Sequence, residues 1–165
     1  MRVTRDSMAL GLVLGMAGCG GGPGRTTAAA VVEPPADAPV LAMMPLKAEG
    51  TAASDAAIIS DLVRQELLAV GRWRVVDRAA MDAAMAGKAL AIAGVGSDAD
   101  AASLGKLLNA RLMGVGSYGL LMGTKVVTFR IVDVETGLAK WAGTAEGATQ
   151  PDLKRSLAAM VATFK

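Results

Sequence analysis

The sequence predicts a single α/β domain: a mixed sheet of about five strands with helices packed on it, in the order β-α-β-α-α-β-β-β-α over residues 40–165. Three observations carry this. Val40 to Leu46 is a continuous apolar run of strand length, which requires burial on both faces, as in a sheet covered by helices. Residues 58–70 place apolar side chains at three- and four-residue spacing. Residues 111–146 read as strands punctuated by glycine-bearing turns.

The elements follow in order. Pro45 marks the end of the first strand, because proline offers no ladder donor. Thr51 or Ser54 caps a long helix that buries Ile58, Ile59, Leu62, Val63, Leu67 and Val70, turns Asp61, Arg64 and Gln65 to water, and stops at Gly71. Trp73 to Asp77 is a second short strand, and Asp77 caps a weak helix over Ala79–Ala86 carrying Met81 and Met85. After a loose stretch from Lys88 to Gly96, Ser97 and Asp100 form an S-x-x-D helix opening. Leu104, Leu107 and Leu108 are the expected apolar face of that helix, and Asn109 its stop.

From Arg111 the chain reads as a three-stranded meander. Gly123 suits a tight turn, Val127, Phe129 and Ile131 alternate with Thr128, Arg130 and Val132, and Asp133-Val-Glu-Thr-Gly137 leads into the last strand. Pro151 opens a final helix with Leu153, Leu157, Met160, Val161 and Phe164 on one side. Burying those five is worth on the order of 10 kcal/mol before entropy, so deleting the helix should unfold the domain.

Residues 1–18 have the form of a secretory signal: Arg2 and Arg5, then an apolar stretch from Met8 to Met16 too short to span a bilayer as a helix. Met16-Ala17-Gly18-Cys19 resembles a lipobox, with Met16 where leucine is commonest, and Cys19 is the expected lipidation site. Several acyl tails at ~0.8 kcal/mol per buried CH₂ would make the anchor effectively permanent. Gly20, not aspartate, follows the cysteine, and by the lipoprotein sorting rule this implies the outer membrane. Residues 19–39, with their glycines and Pro34, Pro35 and Pro39, form a tether reaching about 25 Å on average and no more than roughly 70 Å.

Composition narrows the chemistry. The chain holds 17 basic and 15 acidic residues, one cysteine and no histidine, which removes internal disulfides, Cys/His zinc sites and imidazole bases. Arg72, Arg74 and Arg78 read as the rim of a helix–strand junction and not as a nucleic-acid patch; no nucleic-acid partner is expected. Met43, Met44, Met81 and Met85 read as core filling, not as soft-metal ligands. Gly114-Val-Gly-Ser-Tyr-Gly119 matches G-x-G-x-x-G, but it lies within strands and no helix follows it. Gly94-Val-Gly96-Ser-Asp-Ala99 precedes a helix but lacks the acidic residue about twenty positions on that a ribose needs. Asp98 and Asp100 suit a helix first turn, and Asp133 and Glu135 a hairpin turn. No catalytic residue, cofactor or metal ligand is expected.

Val40 to Pro45, the helix through Asp61-Leu-Val-Arg-Gln-Glu-Leu-Leu, Arg72-Trp-Arg-Val-Val-Asp77, Leu104-Gly-Lys-Leu-Leu-Asn-Ala110, Val115-Gly-Ser117 and Arg130-Ile-Val-Asp-Val-Glu-Thr-Gly137 together resemble the CsgG superfamily, the CsgG-, LpoB- and FlgO-like bacterial envelope lipoproteins. The resemblance covers nearly all of residues 40–146. It implies an α/β domain on a lipid tether at the periplasmic face of the outer membrane, a non-enzymatic binding or assembly factor of the envelope working through protein contacts. It also admits a subunit of a homo-oligomeric secretion complex like that of curli, although no pair of long alternating strands is spare here for a membrane barrel. A nucleotide-binding enzyme is the remaining alternative.

Overall fold

A computed structural model describes residues 32–87 and 98–164. The expected signal segment, Cys19, Gly94, Gly96 and Ser97 lie outside the described residues. Strands β1 (Val40–Met43), β2 (Lys47–Glu49), β3 (Arg74–Val75), β4 (Leu112–Leu121), β5 (Thr124–Asp133) and β6 (Ala139–Gly147) alternate with helices α1 (Ala53–Val70), α2 (Arg78–Gly87), α3 (Asp98–Leu107) and α4 (Gln150–Ala162). The strands form one sheet in the order β3-β1-β4-β5-β6, with β2 also on β4. β1 runs parallel to both β3 and β4, and β4-β5-β6 is the antiparallel meander that the glycine-punctuated strands predict.

The apolar run at 40–46 behaves as a covered strand. Leu41 and Met43 enter one core with α1 and α4, while Ala42 and Met44 enter a second core with α2 and α3. Pro45 interrupts the strand without ending the pairing: Met44 still donates to the Gly114 carbonyl, and beyond the proline β2 resumes parallel to Ser117–Gly119 of β4. A proline fits there because it falls between two short pieces that share one neighbour.

The first core is the larger. Ile59, Val63 and Leu67 of α1 and Leu153, Leu157 and Val161 of α4 meet Val127, Phe129 and Ile131 of β5. Phe164 packs edge-on to Trp73, with centroids 5.2 Å apart, and lies 3.8 Å from the Trp141 ring. Few as they are, the aromatic side chains are thus concentrated where the end of α4 closes over the sheet. Thr149 caps α4, accepting from the Asp152 amide, with Pro151 in the first turn.

On the opposite face, α2 and α3 cover β1 and β4, and the outer face of β5 and β6 carries the exposed Thr128, Ala142, Thr144 and Glu146. This is why β5 alternates.

Several side chains differ from expectation. Ile58 and Leu107 are exposed. Each lies one position off the stripe its helix buries: α1 buries Ala56, Ile59, Val63 and Leu67, and α3 buries Ala101, Leu104 and the face around Gly105. A Cβ on Gly105 would come within 2.3 Å of Val134, so that helix docks through small residues and leaves no room for Leu107. Arg64 turns inward and donates to the Val76 carbonyl at 2.8 Å, tying α1 to the chain after β3; burial lowers its pKa, opposed by Asp61. α1 begins after Ala52 with no side-chain cap from Thr51 or Ser54. The expected second strand is only two residues long. Gly71 and Asn109 do end their helices with left-handed backbone, φ 64° and 50°.

Candidate functional site

The motifs that could have carried chemistry have structural roles. In the G-x-G-x-x-G match, a Cβ on Gly114 would meet the Phe129 ring at 2.6 Å, and one on Gly116 would meet the Thr128 carbonyl oxygen at 2.2 Å. These glycines let neighbouring strand and side chain approach β4, and β5, not a helix, follows them. Asp98 pairs with Arg130 at 2.8 Å, joining α3 to β5.

Asp133 is nearly buried and is the hub of the β5–β6 turn. Its Oδ1 accepts from the Glu135 and Thr136 amides at 3.0 and 3.1 Å, while its Oδ2 meets Lys140 at 3.1 Å. The Thr136 amide first, then Lys140, hold its carboxyl below the usual carboxylate range. Met43 and Met44 point into different cores, and Met81 is buried in the second. Among the described residues, no group of three potential metal ligands converges.

Two surface features stand out, one at each end of β4. At its start an open cleft of about 870 Å³ lies against Pro39 and Val40. The backbone explains what lines it. The Arg74 amide donates to the Pro39 carbonyl and the Arg111 amide to the Val40 carbonyl, so β3 and β4 place one arginine on each side of the point where the chain enters the sheet. Arg72 and Lys140 complete a basic rim, with Asp37 its one acidic residue. Arg72 donates to the Phe164 carbonyl and Arg74 to that of Ala38, neutral acceptors, and neither forms an ion pair among the described residues. Arg78 belongs elsewhere, paired with Asp61 and Asp82 on α1 and α2.

At the other end, Met122 and Gly123 form a two-residue turn with φ of 50° and 82°, the mirror-image type I′ hairpin turn. Leu120, Leu121 and Met122 are 54%, 63% and 100% exposed. Nine residue steps along β4 separate this apolar tip from the cleft, about 30 Å. Composition and periodicity missed both features. The cleft collects residues 72, 74, 111 and 140, which are neighbours only through strand order. The tip did leave a signal, Leu-Leu-Met directly before a turn glycine.

Comparison with protein-family models and with curated proteins gives no match. Among solved structures, the domain is similar to the C-terminal domain of LpoB from Escherichia coli, with TM-score 0.57 at 17% identity over 67% of this chain and 83% of that one. An NMR structure of E. coli LpoB gives TM-score 0.55 at 14% identity over 88% of each chain. Lipoprotein GNA1162 from Neisseria meningitidis gives 0.59 at 14% identity, over 74% of this chain and 94% of that one. The domain shares the fold of the LpoB C-terminal domain and of GNA1162.

Proposed function

We propose that this chain is a lipoprotein anchored to the periplasmic face of the outer membrane through Cys19, and that its domain acts without catalysis, by binding another envelope protein. The observation that supports this reading best is the combination of an LpoB-like fold with the Met16-Ala17-Gly18-Cys19 sequence upstream of it. The contact we assign is the apolar β4–β5 tip. It lies at the end of the domain opposite the point where the chain enters β1, about 30 Å along β4, and it keeps a non-glycine residue in left-handed backbone at full exposure. The turn requires the left-handed backbone, but a fully exposed methionine in place of asparagine or glycine makes no contact within the domain, which supports a contact outside it.

A photo-crosslinking amino acid at Met122 tests it in cells. A discrete adduct with a different envelope protein supports the reading. An adduct at twice the chain's own mass favours the homo-oligomeric assembly, and no adduct from Met122 alongside a robust one from the β6 edge overturns the assignment of the tip.

A further inference from the structure

We infer that the basic cleft at the start of β4 binds the phosphate of an anionic phospholipid headgroup, seating the domain on the bilayer that holds its tether. The inference rests on the reading that Cys19 is the anchor. Over the whole chain basic and acidic residues nearly balance, 17 to 15, yet with Lys140 paired to Asp133 the cleft still presents three arginines to one acidic residue, Asp37. The cations are placed for an external anion. Arg72, Arg74 and Arg111 are all exposed and no side-chain partner engages Arg111 among the described residues, whereas Lys140 is held by Asp133 at 3.1 Å, so the cations open to an anion are the three arginines. Arginine's planar donors match a phosphodiester, and the two arginines bound to carbonyls keep further N–H groups for it.

Position selects the source of that phosphate. Pro35, Asp37 and Pro39 of the tether form one wall of the cleft, and Val32 packs against Gly71, whose Cβ would come within 2.4 Å of it. The chain between Cys19 and Val32 spans at most about 45 Å. An acylated Cys19 would therefore attach the domain by this end and keep the cleft, more than the hairpin tip, near the headgroups. Each basic residue brought to an anionic surface is worth about a 5-fold gain in binding, and the attraction fades beyond a Debye length of ~8 Å.

The test uses the chain from residue 19 with Cys19→Ser, so that acylation contributes nothing; the described core lies wholly within residues 38–164. Co-sedimentation is measured with vesicles of phosphatidylcholine alone and of phosphatidylcholine mixed with phosphatidylglycerol. Binding to the mixed vesicles only, weakening with salt, is expected. Arg111→Gln should lower it about 5-fold, and Asp37→Asn should raise it by a similar factor, a gain that a misfolded protein would not show. Equal binding to both vesicle types, or an Arg111→Gln protein of unchanged melting that binds as the parent does, would overturn the inference. So would displacement by millimolar inorganic phosphate, which would make the cleft a site for a soluble anion. An unacylated Cys19 in cells would remove the anchor while leaving the vesicle result standing, so the two failures are distinguishable.

Discussion

Asp133, read from the sequence as a hairpin-turn residue, is the nearly buried hub of that turn in the fold. Its partners are two amides of its own turn and the ammonium of Lys140, all of which favour the ionised carboxylate. Its folded-state pKa is depressed, so its contribution to stability is fully present above the unfolded value near pH 4 and is lost as pH falls through the lower folded value. Melting temperature measured downward from pH 5 should therefore fall less steeply in Asp133→Asn than in the parent, with the variant already less stable at neutral pH. Parallel curves would assign the acid sensitivity elsewhere. Met122 gives the opposite lesson. Asparagine adopts its left-handed conformation at lower cost, so Met122→Asn should stabilise the domain by about 1 kcal/mol in urea unfolding. A destabilised variant would mean that the methionine packs.

At the scale of elements, α4 is the clasp of the larger core. Leu157 is fully buried, and Leu157→Ala should cost about 2–5 kcal/mol by chemical denaturation. A loss below 1 kcal/mol would show that α4 is not packed as described. Gly116→Ala tests β4 differently. A methyl group there would collide with the Thr128 carbonyl oxygen and should destabilise the domain. If Gly116 served a phosphate instead, the loss would appear in ligand binding with stability intact.

The sequence made most of these elements legible. Continuous apolarity revealed β1, alternation revealed β5, and Pro151 and Gly71 punctuated their helices. What escaped was local. Ile58 and Leu107 each sit one position off the buried stripe, and apolar spacing cannot separate adjacent residues when a helix docks through alanine and glycine. Arg64 looked solvated because charge predicts exposure, while the chain beyond β3 offered a carbonyl that only the tertiary structure supplies.

At the scale of the molecule, the sheet gives the domain an axis. The chain enters β1 beside Arg74 and Arg111, and about 30 Å along β4 it turns at Leu121 and Met122. This polarity was invisible in sequence because it depends on β1 lying between β3 and β4. Doubly wound α/β proteins bind ligands outside the carboxyl ends of their parallel strands. Here the cleft lies at the amino ends, beside the segment that leads into β1, a placement suited to a surface contact more than to chemistry on a small substrate. Fold, cleft and tip acquire their proposed meaning only if Cys19 is the anchor. The most direct test is mass spectrometry of the mature N-terminus from membranes, with and without globomycin. The account predicts loss of residues 1–18 and a diacylglyceryl, acylated Cys19, with the unprocessed chain accumulating under the inhibitor. An unmodified Cys19 in a chain that keeps its leader would contradict it.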